Sequence, residues 1–186
     1  MEQSSTLTIG APKEALHGER RVAITPAVVA GYVKAGFRVL IEAGAGASAG
    51  FGDQAYVDRG AVIATREQAL AADVVAAVRV LGGDPESPDR ERLRPGQVVV
   101  GMAAPLAAPE VAAAVADRGA VLYALELLPR TTRAQGMDVL SSQANIAGYK
   151  AVLLAAAELP KMAPMLTTAA GTIRSEERRV GKECRL

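Results

Sequence analysis

The chain has almost no aromatic side chains: they make up 3% of 186 residues, and Trp is absent. A core without large rings has to be built from small side chains packed closely, and here 50% of residues are apolar, Ala foremost. There is one cysteine, Cys184, so no internal disulfide can form. The only histidine, His17, sits in a polar loop and is expected to be exposed. No charge of either sign dominates. The net charge is +1, without a charge block in the main body, which removes the electrostatic argument for nucleic acid or an anionic membrane surface. Long hydrophobic runs are also missing. The least charged stretch, Val98 to Ala116, is interrupted by Pro105, Pro109 and Glu110 and makes a poor membrane span. No apolar segment follows a basic one near the N-terminus, so no secretory signal is expected, and the chain reads as soluble and cytoplasmic.

What is present is an alternation of strand and helix patterns. Thr6 to Ala11 is β-prone and ends at Pro12. Thr25 and Pro26 suit a helix start, and Ala27 to Ala35 supplies an apolar face that Gly36 closes. Phe37 to Ile41 is apolar apart from Arg38, the pattern of a strand covered on both faces in a parallel sheet. Further helices are expected at Gln54 to Arg59, Arg66 to Ala72 and Pro109 to Asp117. Further strands are expected at Ala61 to Ala64, Val74 to Val80, Val98 to Val100 and Ala120 to Leu125. Gly82, Gly83, Asp84, Pro85 and Pro88 form a breaker loop. The alternation predicts an α/β fold, doubly wound around a mostly parallel sheet, followed by a long helix from Asp138 to about Leu159. Pro160 and Pro164 end that helix, and Met162 to Ile173 reads as an apolar connector. Along the helix Ser141, Ala144, Gly148, Ala151 and Ala155 form a stripe of small residues that another backbone could approach.

Two stretches could carry chemistry. Gly44, Gly46 and Ala49 fit G-x-G-x-x-A after a strand, which admits a phosphate cradle or a plain surface loop; Ser48 to Gly52 is too glycine-rich to start a helix at once. The other is Pro129 to Gly148, PRTTRAQGMDVLSSQANIAG. Its first half is a polar loop with Arg130, Arg133, Gln135 and Asp138, leading into the long helix. A guanidinium, a carboxamide and a carboxylate on a loop tied to a helix offer fixed hydrogen-bond partners to a flat polar ligand. Asp138 can equally cap the helix, Arg133 can be a solvated charge, and Ser142, Gln143 and Asn145 can be helix-terminus or inter-domain contacts.

PRTTRAQGMDVLSSQANIAGYKAV followed by LTTAAGTIR resembles the alpha subunit of proton-translocating NAD(P) transhydrogenase. GAPKEALHGERRVAITP and VLIEAGAGASAGFGD are similar to the same subunit and to the related alanine dehydrogenases. The resemblance covers about Leu7 to Arg174. It implies an N-terminal α/β domain over 1–137 and an inter-domain helix and connector over 138–174, leading to an NAD-binding domain. The stretch 175–186, SEERRVGKECRL, departs from the family pattern and is similar to a translated adaptor. Without its four basic and three acidic residues, 17 of each sign remain.

The resemblance implies hydride transfer between NADH and NADP+, coupled to proton translocation across the membrane. NAD(H) would bind the full-length subunit, Gln135 and Asp138 would serve catalysis, and Arg130, Gln135, Asp138 and Ser141 would lie at the nicotinamide, with Asp138 orienting Arg130. NADP(H) would sit on a partner subunit or domain. The implied partners are a second alpha subunit, the beta subunit and a membrane-embedded domain, with no nucleic acid and no metal. The implied location is cytoplasmic, peripheral to the inner membrane. Alanine dehydrogenases carry a catalytic histidine just after the strand matching Val98 to Val100, where this chain has Met102, Ala103 and Ala104; their substrate lysine is Arg79 here. Arg21 matches a substrate-binding arginine of those enzymes, and a structural ion pair with Glu14 or Glu19 is expected instead. An amino acid dehydrogenase and a non-catalytic dimerising α/β module are the two alternative readings.

Overall fold

A computed structural model describes residues 6–160, 166–169 and 171–173. The chain divides into two compact units, Met1–Asp138 and Val139–Leu186. The stretch 175–186, Cys184 included, lies outside the described residues.

The first unit opens with β1 (Thr8–Ala11), α1 (Pro26–Lys34), β2 (Arg38–Glu42), α2 (Asp53–Val57), β3 (Val62–Ala64), α3 (Arg66–Leu70) and β4 (Val74–Arg79). It continues with β5 (Val98–Met102), α4 (Pro109–Ala116) and β6 (Val121–Ala124). The six strands form one sheet in the order β3-β2-β1-β4-β5-β6, with every pair parallel. The chain winds outward from β1 to β3, crosses back, and winds outward again from β4 to β6. This is the doubly wound arrangement expected, and right-handed crossovers put α1 and α2 on one face and α3 and α4 on the other.

The side chains follow that division. Ile9, Ala11, Val39 and Ile41 pack with Val29 of α1 and Tyr56 of α2. Leu40, one position out of phase, packs with Ala64 and Ala72 on the opposite face. A third cluster joins Val99 to Val111, Ala114 and Val115 of α4. Close packing without large rings shows at Gly10, where an added Cβ would lie 1.9 Å from the Ala69 carbonyl oxygen. The largest fully buried side chain is Tyr56, whose hydroxyl donates to the Ile24 carbonyl at 3.0 Å.

Three local expectations need correcting. Thr25 occupies the N-cap of α1 in extended conformation but makes no side-chain cap hydrogen bond. Strand β3 is not the buried strand that the apolar run Ala61 to Ala64 suggests: it is the sheet's edge, and Val62 is exposed. The connector after the long helix contains a small antiparallel pair, β7 (Leu166–Thr168) with β8 (Gly171–Ile173). In the second unit the long helix is α5 (Val139–Glu158), with no buried residue.

Candidate functional site

Parallel strands share one carboxyl edge, and the connection after each of the six strands of the first unit leaves from it. Open α/β sheets bind ligands at this edge where the strand order reverses, here between β1 and β4. At that point Glu14 reaches from the β1 loop to the end of β4, accepting from the backbone N–H groups of Val78 (2.6 Å) and Arg79 (3.0 Å). Burial pushes the Glu14 carboxyl above its usual range, against the pull of those two hydrogen bonds. Arg21 acts on Glu14 as a nearby charge that favours the ionised form. Its ion pair is with Glu19, at 2.7 Å, and the Arg21 guanidinium holds the Glu19 carboxyl down to about 2. That pairing contributes stability above the ordinary glutamate range and is lost as pH falls toward 2.

Arg66 ties the same edge together. Its guanidinium donates to the Lys13 carbonyl and to Glu42, both at 2.8 Å, and forks onto the buried Asp89. The crevice lined by Lys13, Glu14, Arg66, Arg79 and Leu81 encloses about 30 Å³. That is room for a water or two. Arg79 lines it, with Nε buried and without a hydrogen-bond partner among the described residues. The following turn is left-handed at Leu81 (φ 53), Gly82 and Gly83, and an added Cβ on Gly83 would stand 3.2 Å from the Arg79 guanidinium.

The glycine motif of Gly44 to Ala49 has local explanations. Gly44 is left-handed (φ 72), and an added Cβ on Gly46 would meet the Tyr56 hydroxyl at 2.6 Å. A 3-10 turn, Ala47–Ala49, follows, and no helix starts before Asp53.

From β6 the chain passes through a 3-10 turn, Leu125–Leu127, into the loop that carries Arg130, Gln135 and Asp138, folded as a second 3-10 turn over Thr132–Met137. One residue anchors this loop: Ala134 is buried, while Arg130, Arg133, Gln135 and Gly136 are exposed. The Asp138 N–H donates to the Gln135 carbonyl at 3.2 Å, which fixes the spacing of these two residues. Neither the Arg130 nor the Arg133 guanidinium has a hydrogen-bond partner among the described residues, and no ion pair there joins Arg130 to Asp138. Asp138 directly precedes α5 in sequence; Ser141 lies in the first turn of α5, in the second unit, and is exposed.

Two features of this edge escape the sequence. Glu14 acts on backbone groups 64 and 65 positions away, a pairing without a local signature. Met137 presents an exposed apolar side chain in the middle of a polar loop, and only that contrast of polarity marks it. Among the described residues no cluster of His, Cys, Asp or Glu suits a metal ion, and no helix is long and apolar enough to cross a membrane.

Residues 10–147 match the family described as alanine dehydrogenase/PNT, N-terminal domain. The NAD(P) transhydrogenase subunit alpha of Cereibacter sphaeroides is 41% identical over 169 residues, which cover 90% of this chain and 32% of that protein. A solved structure of the transhydrogenase from Sinorhizobium meliloti superposes with a TM-score of 0.82 at 42% identity, covering 90% of this chain and 47% of that one. The alanine dehydrogenase of Bacillus subtilis is 33% identical over 156 residues, 83% of this chain and 39% of that enzyme. The chain thus spans under half the length of these relatives. A doubly wound sheet of matching topology, and a sequence match running from β1 through the polar loop into α5, agree on one assignment: the chain belongs to the alanine dehydrogenase/PNT N-terminal domain family.

Proposed function

We propose that this chain is the N-terminal part of the NAD(H)-binding alpha subunit of an NAD(P) transhydrogenase, and that the Arg130–Asp138 loop serves the nicotinamide end of NAD(H). The carrying observation is the loop itself: an exposed guanidinium and carboxamide, free of partners among the described residues, on a 3-10 turn pinned by Ala134. Those donors and acceptors suit a carboxamide group. Gln135 can both donate to it and accept from it, and Arg130 offers planar donors. The bound nicotinamide supplies the hydride chemistry; the chain's task is to hold the reacting ring against its counterpart. In this reading 1–137 is the N-terminal domain and 138–174 leads to the nucleotide-binding region. Ser141 joins the site in the complete subunit, and NADP(H) and the proton path belong to partner subunits or domains. A second alpha subunit completes the assembly, which lies on the cytoplasmic side of the inner membrane.

An amino acid dehydrogenase is disfavoured by one observation. Met102, Ala103 and Ala104 supply no proton carrier at the end of β5. A merely dimerising module would have no use for a loop that displays a guanidinium and a carboxamide to solvent.

Calorimetry with NADH tests the reading on the chain as it stands and on the complete subunit that carries it. Binding is expected only in the complete subunit; tight binding by this chain alone would mean that a different loop is the nucleotide site. In the complete subunit, Gln135→Ala is expected to slow hydride transfer by on the order of 10- to 100-fold while changing NADH affinity little, because positioning is lost and the remaining contacts stay. An unchanged rate overturns the site.

A further inference from the structure

Two non-glycine residues among those described hold a positive φ, Leu81 at 53° and Ala104 at 48°, and each stands just past a strand end on the carboxyl edge of the sheet. A left-handed alanine is strained by its Cβ, and such strain persists only where the surroundings hold it. At Ala104 the holder is Glu126, whose Oε1 accepts the Ala104 N–H at 2.6 Å across 22 positions of chain. Ala103 before it is fully buried, and the Ala104 carbonyl accepts from the N–H groups of Ala107 and Ala108 at 2.9 and 2.8 Å. The turn into α4 is therefore fixed from both sides. Glu126 carries a second cost: its Oε2 is buried and has no hydrogen-bond partner among the described residues.

Glu126 also lies in the 3-10 turn Leu125–Leu127, four residues before Arg130. The main-chain hydrogen bonds around it, Leu128 to Leu125, Thr131 to Pro129, Ala134 to Thr131 and Asp138 to Gln135, each join residues of this same stretch. The Glu126 carboxylate instead joins the stretch to the exit of the neighbouring strand, β5. We propose that Glu126 is a positioning residue, anchoring the start of the Arg130–Asp138 loop to the Ala104 turn as buried Ala134 anchors its middle. This rests on the reading that the loop takes part in hydride transfer, and adds to it a side chain that acts without touching the nucleotide. A charge-assisted hydrogen bond from a main-chain N–H to a carboxylate is among the stronger ones, and suits the holding of a strained turn. Transfer between two rings tolerates little misplacement, so a loop loosened at its root loses rate before it loses affinity.

The test uses the complete subunit with Glu126→Ala, Glu126→Gln, Ala104→Gly and the double variant of Glu126→Ala with Ala104→Gly; Gln135→Ala is the control for the underlying reading. Measured are the thermal midpoint, NADH affinity by calorimetry and the single-turnover rate of hydride transfer at saturating nucleotide. Glu126→Ala is expected to slow transfer about tenfold while NADH affinity stays within about threefold. Glu126→Gln keeps an acceptor for the Ala104 N–H and is expected to hold the rate within about threefold of the parent. Glycine takes a positive φ without strain, so Ala104→Gly is expected to raise the thermal midpoint on either background. The double variant should nevertheless stay slow, because the anchor is still missing. It also carries the test where Glu126→Ala alone fails to fold. A rate that recovers with the midpoint shows that Glu126 serves only the stability of the turn, and a glutamine variant as slow as the alanine one shows that the charge matters and the tether does not; either result overturns the proposal. Parent-like transfer in Glu126→Ala, with Gln135→Ala impaired, overturns it and leaves the loop reading standing. Normal rates in both overturn the loop reading and the proposal together.

Discussion

Glu14 shows how much one side chain can hold in a parallel sheet. Its two oxygens take the backbone N–H groups of Val78 and Arg79, so the first loop of the chain closes the end of β4. Glu14→Ala leaves both donors without an acceptor in a half-buried place and is expected to lower stability by roughly 2 kcal/mol, read as a shift of the urea midpoint. Burial also raises this carboxyl, so the folded state binds its proton more tightly than the unfolded chain does. Folding is therefore most favoured by this group below the ordinary glutamate range and less so as pH rises through the folded value, the reverse of Glu19. Parent minus Glu14→Ala stability, followed between pH 4 and 7, should decline; a flat difference would remove the burial argument. At this scale the sequence exposed only half the arrangement. It offered Glu14 and Glu19 as partners for Arg21, and nothing in the spacing says that Glu14 is drawn instead to amides at the end of a strand.

The elements themselves were far more readable, because each is written by local pattern. Strands β1 to β6 and helices α1 to α5 fall where apolar runs, Gly breaks and Pro starts put them, within a residue or two at most ends. What local pattern does not carry is order: that β1 lies between β2 and β4 follows from non-local pairing, Ile9 with Val39 on one side and Val74 on the other. The β7–β8 pair was also illegible, since strands of three residues are too short to show alternation. Central placement of β1 explains Gly10, which faces the end of α3. Gly10→Ala drives a methyl group into the Ala69 carbonyl and is expected to cost about 3 kcal/mol or more, with an unchanged urea slope. A loss below 1 kcal/mol would mean that α3 moves aside freely. For the candidate site, the residue types of the Arg130–Asp138 loop were legible as ligand chemistry. The buried peg at Ala134 and the exposed Met137 were not, because both depend on how a 3-10 turn sits on the domain.

For the molecule as a whole, the helix α5 and the net charge act together. Ile146, Tyr149, Val152 and Leu154 are 61%, 69%, 67% and 55% exposed, and apolar residues lie on every side of this helix. With a sequence pI near 7.9 the chain carries little charge at neutral pH to keep copies apart. The chain as it stands is expected to self-associate as concentration rises, and Val152→Glu with Leu154→Lys should shift light scattering back toward a monomer. Scattering that ignores both substitutions would place the adhesive surface elsewhere. The sheet order has a further consequence, for birth on the ribosome. β1 is made first, yet its second neighbour β4 ends at Arg79, 68 residues after Ala11. At roughly 5–20 residues per second, that is a delay of about 3–14 s. Through those seconds the middle strand of the finished sheet is a bare edge in the nascent chain, open to any extended segment that reaches it before β4 does.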